Sequence, residues 1–389
     1  MKALLNQLYN LYLFAGAQAH LALCGARRRA PQNPRTIAVV QGAKLGDMVC
    51  TTPLFRAIKE RFPRARVVVL GDAVNQKLLH GHPYVNRYIV IGKGFWRAAR
   101  ALARERADFG VLPLPSLYGL TLLIVAGVKS ISAPKIVGGY SPYETRTYKK
   151  LLRSVNSVPH YNERYVPREY LRLLEPIDIL TSNTRKELSY SEEAAESVRM
   201  LLGKEGLDAK KDLLVGILPG VGGDPIKLWA PEKFAGLADE LAQKHGAKII
   251  VLGSGKDRAS VEIMFSHISP STNAVNLYNR ISIEELKALI ASLSLFISAD
   301  TGPVYIAEAF GTPTIDIVGP MYENIQPPQG TLHRTVAAPR ARPALGIIDN
   351  TVYHSKEARR QSDDITVEMV AKVADELILL SRRNEISAR

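Results

Sequence analysis

An aspartate, Asp47, lies in the stretch from Gln41 to Arg61, just after the apolar run Thr36 to Val40 and before a helical pattern carrying Leu54, Phe55, Ile58 and Phe62. A short apolar run of this kind reads as a buried parallel strand, so the order is strand, glycine turn, helix. In an open parallel sheet such a turn falls at the carboxyl end of the strand, where ligands bind in the crevice. A carboxylate there is either a general base or only a cap on the following helix, favoured by the helix dipole.

Two later stretches offer the opposite charge. Pro219-Gly220-Val221-Gly222-Gly223 is followed by Lys227 and Trp229, and Asp300-Thr301-Gly302-Pro303 opens a helix that runs through Phe310. Helix-start N–H groups and a lysine are what an anion needs, although a plain helix cap and a solvated loop lysine use the same residues. No two aspartates are spaced Asp-x-Asp. The usual acidic clamp for a metal-bound diphosphate is therefore missing, and a diphosphate would be held by backbone N–H groups, helix N-termini and Lys or Arg.

Other motifs fail on inspection. Gly253-Ser254-Gly255-Lys256 resembles the tail of a P-loop, but Ile250 replaces the leading Gly and Asp257 the Ser or Thr that would ligate magnesium. Gly220-Val221-Gly222 lacks the third glycine of a dinucleotide fingerprint, which argues against hydride transfer. His80 and His82 have no Cys or carboxylate at ligand spacing, so no metal ligands are expected.

The elements that must position these residues alternate. Strands are expected at Arg66 to Leu70, Tyr88 to Ile91, Phe109 to Leu112 and Lys135 to Gly139, with a buried helix over Leu117 to Val128. A second series has strands at Leu213 to Leu218, Lys248 to Leu252, Ser294 to Ser298 and Thr314 to Val318, and helices opening at Pro231, Asp257 and Ser282. With 389 residues, two α/β domains are expected, joined within the polar stretch from Thr181 to Lys211. Between the two series, tyrosines from Tyr140 to Tyr170 interleave with Arg146, Lys149, Arg164 and other basic residues. These could stack on sugars and pair with phosphates, or form a solvated connector.

Composition narrows the partners. A net charge of +14 favours anionic partners, and two cysteines, Cys24 and Cys50, cannot build a disulfide framework, so a reducing compartment is the simpler reading. Between Lys2 and Arg27 there is no charged residue. Asn6, Gln7, Asn10 and Gln18 interrupt the segment, while Leu4, Leu8, Leu11 and Ala15 make one helical stripe. An in-plane amphipathic helix is the leading reading, with Arg27, Arg28 and Arg29 against anionic head groups; a helix packed on the domain and a span or signal are the alternatives.

The ordered set Gly46-Asp47 with Thr52-Pro53-Leu54, Pro219-Gly220 with Lys227, Trp229 and Pro231, and Asp300-Thr301-Gly302-Pro303 with Gly311-Thr312-Pro313 resembles glycosyltransferase family 9, the ADP-heptose:lipopolysaccharide heptosyltransferases, over nearly all of residues 35 to 382. The resemblance implies an α/β chain of GT-B architecture, two Rossmann-like domains facing across a cleft. The boundaries expected are 1–34 for a membrane-associating segment, 35–190 for acceptor binding, 191–365 for nucleotide-sugar binding and 366–389 for a helix packing back. It also implies an inverting, metal-independent transfer of heptose from ADP-heptose to a lipopolysaccharide core or related lipid-linked glycan, without a cofactor. Asp47 would be the base; Lys227, Asp300, Thr301, Gly302, Pro303 and Asp257 would bind the donor; Lys44, Arg146, Lys149 and Arg164 would bind the acceptor. In the family pattern a His commonly follows the Pro of the Asp300 motif by two residues, and here Tyr305 stands there. The expected setting is the cytoplasmic face of the inner membrane, as a peripheral protein with no nucleic-acid partner. Another nucleotide sugar as donor, and a non-catalytic nucleotide-sugar-binding protein, are the alternatives.

Overall fold

The structure is a computed structural model describing residues 2–388 except 27, 93, 140, 223, 224 and 346–353; of the side chains of residues 2, 3 and 382–388 nothing is said. Arg27, Tyr140 and Gly223, named above, thus lie outside the described residues. The chain divides into two compact units, residues 1–186 and 187–389.

The first unit runs α1 (Lys2–Cys24), β1 (Thr36–Val40), α2 (Leu45–Arg61), β2 (Arg66–Gly71), α3 (Ala73–Leu78), β3 (Arg87–Val90) and α4 (Phe95–Glu105). It continues with β4 (Phe109–Val111), α5 (Leu117–Val125), β5 (Ser130–Val137), α6 (Arg146–Leu152), β6 (Asn156–Tyr161) and α7 (Val166–Arg172). Its six strands are all parallel, in the order β3-β2-β1-β4-β5-β6. That is the order of a doubly wound dinucleotide-type sheet, whose direction of winding reverses between β1 and β4.

The second unit repeats the plan with α8 (Glu192–Lys204), β7 (Leu214–Leu218), α9 (Pro231–His245), β8 (Lys248–Val251), α10 (Arg258–His267), β9 (Ala274–Asn276) and α11 (Ile283–Ser292). It ends with β10 (Leu295–Ala299), α12 (Gly302–Phe310), β11 (Thr314–Ile317), β12 (His333–Val336), α13 (Ser355–Asp363) and α14 (Val367–Ala388). The sheet order β12-β11-β10-β7-β8-β9 is the same winding, with its switch point between β7 and β10. Helix α14 packs on α9 and on β10, β11 and β12, within the second unit.

Local chemistry explains the element ends. Ser282 and Glu285 form a capping box at the start of α11, and Pro231 opens α9, which closes on Gly246 in the left-handed conformation. Each unit buries its own core: Ala38, Val68, Leu120, Ile124 and Ile131 in the first, and Val215, Ile249, Phe234, Ile297 and Ile315 in the second.

Two expectations change. Strand β5 begins at Ser130, not Lys135, and the Tyr- and Arg-rich segment is not an irregular connector but holds α6, β6 and α7. Within β6 the His160 ring is buried, and burial together with the Arg172 charge lowers its pKa to about 4. A histidine held neutral in the fold contributes stability above its unfolded value of 6.5, and that stability is lost as pH falls toward 4. At about 1.4 kcal/mol per pH unit the loss is on the order of 3 kcal/mol. Urea unfolding at a series of pH values should show it, and His160→Gln should flatten that part of the profile; an unchanged profile would assign the loss to other groups.

Candidate active site

In the first unit the chain leaves β1 at its carboxyl end and turns through Gln41 to Lys44 into α2. Asp47 lies not in that turn but in the first turn of α2, third from its start, because the helix begins at Leu45. The helix cap is Lys44, with no side-chain cap bond, so the reading of Asp47 as the cap residue is not met. Pro53 sits inside this helix and has no N–H to give to Val49, but the Thr52 hydroxyl donates to that carbonyl at 2.8 Å. This lets the helix run through a proline that would ordinarily mark a break, so Asp47 and the buried Phe55 and Ile58 share one continuous helix.

The Asp47 side chain is half-buried. Around it, the Gln41 side chain fastens strand to helix: Nε2 donates to the Thr51 hydroxyl at 2.9 Å, and that hydroxyl donates to the Asp47 carbonyl at 2.7 Å. Tyr170 of α7 is fully buried beside Asp47, Cys50 and Gln41. Burial first, and then the charges of Asp47 and Cys50, push its phenol well above the ordinary value. It is thus neutral at any working pH. Arg56, on the same helix, donates to the carbonyls of Arg185 at 2.8 Å and Asn183 at 2.7 Å, which pins α2 to the end of the unit.

Of the proposed acceptor residues, only Lys44 shares the crevice turn with Asp47, and it is exposed. Arg164 precedes α7, which packs on α2, and its guanidinium lies 4.1 Å from the centre of the Tyr161 ring. Arg146 and Lys149 are on α6, which packs on α1, α5 and β5; the Lys149 ammonium is 3.0 Å from Glu144. The structure therefore groups Asp47 with Lys44 and sets Arg146 and Lys149 on a different face.

In the second unit the two strands at the switch point end on the expected motifs. After β7 the chain passes Pro219-Gly220 to Lys227, and after β10 it passes Asp300 into α12. The Lys227 ammonium meets Asp300 Oδ2 at 3.0 Å, and the Tyr305 hydroxyl donates to Oδ1 of the same carboxylate at 3.0 Å. The residue that departs from the family pattern therefore orients Asp300. Thr301 caps α12, its hydroxyl 3.0 Å from that of Ser298, and Gly302 is the first helical residue. Pro303 has no N–H and the Val304 N–H turns back to the Thr301 carbonyl at 3.2 Å, so within the first three helical residues the outward amide is that of Gly302.

Asp257 is buried and not a surface residue. Its Oδ1 accepts from the Gly222 N–H at 3.0 Å, and its Oδ2 from the N–H and hydroxyl of Ser254 at 2.8 and 2.7 Å. It staples the turns after β7 and β8 together, and a Cβ on Gly220 would come within 2.1 Å of its carboxylate. The sequence gives no sign of a further acid here, Asp316 of β11. It is buried, its strand pairs with β10 so that it lies opposite Ser298, and burial followed by the Asp300 charge raises its pKa well above the usual carboxylate range. Burial thus favours the protonated form of Asp316 behind the Lys227–Asp300 pair. Among the described residues no group of three His, Cys, Asp or Glu side chains is gathered that could hold a metal.

Comparison with known proteins adds the family. A model of glycosyltransferase family 9 (heptosyltransferase) matches residues 96–345, more than half of the chain. The chain belongs to glycosyltransferase family 9. The matched span contains Lys227, Asp257, Asp300 and Tyr305, but not Asp47. The enzyme is 26% identical to lipooligosaccharide heptosyltransferase 2 of Haemophilus ducreyi over 369 residues, 88% of this chain and 99% of that one. It is 27% identical to lipopolysaccharide heptosyltransferase 3 of Escherichia coli K12 over 285 residues, 70% of this chain and 79% of that one. The structure of E. coli ADP-heptose lipopolysaccharide heptosyltransferase II matches it with a TM-score of 0.71 at 21% identity, covering 89% of this chain and 99% of that one. A family 9 glycosyltransferase from Veillonella parvula matches at 0.72 and 19% identity, covering 90% and 99%. This glycosyltransferase accordingly has the GT-B fold of two Rossmann-like domains.

Proposed function

We propose that this glycosyltransferase moves heptose from ADP-heptose to the core of lipopolysaccharide or a related lipid-linked glycan, with inversion and without a metal, as a peripheral protein on the cytoplasmic face of the inner membrane. The observation that supports the reading is that each unit carries one half of such chemistry after its switch-point strands: a carboxylate, Asp47, in the first turn of α2 after β1, and a lysine with a helix start, Lys227 and Gly302, after β7 and β10.

In the proposed step the acceptor hydroxyl oxygen attacks the anomeric carbon, its proton passes to Asp47, and the bond from that carbon to the diphosphate oxygen breaks, releasing ADP. One base suffices for a single displacement, which inverts the centre. Charge growing on the leaving diphosphate meets Lys227 and the Gly302 amide, arranged beforehand as such stabilisation requires. Names of relatives, heptosyltransferases of lipopolysaccharide and lipooligosaccharide, support the choice of donor and acceptor.

A thermal-shift panel of nucleotide sugars tests the donor. ADP-heptose at about 100 times its dissociation constant should add roughly 2.7 kcal/mol of stability, and GDP- or UDP-sugars should add little. A shift with those nucleotides and none with ADP-linked sugars would sink the heptose assignment.

A further inference from the structure

We infer that the outward ridge of α1, with the basic faces of α4 and α6 beside it, is a docking surface for an anionic lipid bilayer; this deepens the membrane part of the reading above and is independent of the donor.

Helix α1 is neither detached from the domain nor sunk into it. Leu13, Ala17 and Leu21 are buried against the first unit, mostly over α5. At about 100° per residue, the stripe Leu4, Leu8, Leu11 and Ala15 points the other way. Leu4, Leu8 and Leu11 are 61%, 55% and 56% exposed, and Leu5 is 58% exposed. So many neighbouring leucines left in water exceed the single exposed apolar residues of an ordinary surface. The helix is thus packed on the domain along one face and leaves an apolar stripe exposed along the other.

The flanks say what covers the ridge. Tyr12, on one side of α1, accepts a hydrogen bond from the Trp96 indole at 2.7 Å, and their rings meet edge-on at 6.4 Å. Trp96 is 45% exposed, and from it α4 continues with Arg97, Arg100 and Arg104 exposed on one face. The single acid of that helix, Glu105, is buried and paired with Arg66 and Arg87. Phe14, on the other side of α1, lies under the Lys150 ammonium of α6, 5.9 Å from ring to nitrogen. Exposed Arg146, Lys149 and Arg153 continue that flank, where Glu144 is the acid, paired with Lys149. Apolar ridge, tyrosine and tryptophan at its edge and cations outside them are what the boundary between acyl chains and anionic head groups selects. A protein partner would need matching acids around a greasy groove, and a nucleic acid would leave the leucines uncovered. Among the described residues no helix is long and apolar enough to cross a membrane, so the ridge lies in the interface plane.

Co-sedimentation of the full chain with vesicles tests the surface. The protein should pellet with phosphatidylcholine–phosphatidylglycerol vesicles and far less with phosphatidylcholine alone. The triple variant Leu4→Ser, Leu8→Ser, Leu11→Ser should bind about a hundredfold more weakly. Arg97→Gln, Arg100→Gln, Arg104→Gln should lose about tenfold on anionic vesicles and little on neutral ones. Both variants should keep the wild-type thermal shift with donor and wild-type transfer to a delipidated acceptor, which separates this proposal from the donor assignment. Wild-type vesicle affinity in the leucine variant would overturn it. So would a concentration-dependent dimer abolished by the leucine changes in a protein that ignores vesicles, since the ridge would then face a second copy.

Discussion

Asp47→Asn is expected to lower transfer turnover by about 10²–10⁴-fold while leaving the donor-induced thermal shift intact. Asparagine keeps the size of the side chain and leaves the bonds from Gln41 to Thr51 and from Thr51 to the Asp47 carbonyl untouched. What it removes is the capacity to accept a proton. A carboxylate in the first turn of α2 also interacts with the helix dipole, so a purely structural Asp47 makes a different forecast: a melting temperature lowered by the loss of about 0.3–1 kcal/mol, and turnover near normal. Single-turnover rates and melting curves on one protein preparation separate the two. Near-normal turnover would take Asp47 out of the chemistry.

Lys227→Met should weaken ADP binding by about 10²–10³-fold, read by calorimetry, with adenosine binding little changed. The effect exceeds the loss of one contact because Asp300 stays behind, still held by the Tyr305 hydroxyl, and now turns an uncompensated carboxylate toward the phosphates. Lys227→Arg should recover part of the loss, since charge is kept and geometry altered. If ADP binding fell by less than about threefold, Lys227 would not be a diphosphate ligand, and the Gly302 amide would have to carry that role.

How much of this was legible in the sequence depends on where each residue is buried. Strands β1 and β10 are interior, five buried residues each, and their apolar runs mark them plainly. Strands β6, β9 and β12 are edges, only partly buried, and β6 contains a proline and a histidine; alternation is weak where one side of a strand meets water. Asp47 reads as part of the turn because Gly42 and Gly46 precede it and the apolar helical pattern shows only from Leu54, whereas the helix already begins at Leu45. Asp300, Gly302 and Lys227 are legible as candidates because each lies in a short motif that follows a strand. Tyr170 and Asp316 were not: what makes them matter is burial beside a charge supplied by another segment, and neither spacing nor residue type announces that. Asp257 reads as a donor-binding candidate after its strand, and its three bonds to the Gly222 and Ser254 turns appear only once both turns are folded.

The separate cores of the two units carry an evolutionary consequence. Substitutions far apart and without shared partners act additively, so changes around β1, α2 and α7 can accumulate without loosening the packing of Phe234, Ile297 and Ile315. On the proposed assignment of the acceptor to the first unit and the nucleotide to the second, a lineage can therefore change its acceptor by drift in one half while the other half keeps its packing.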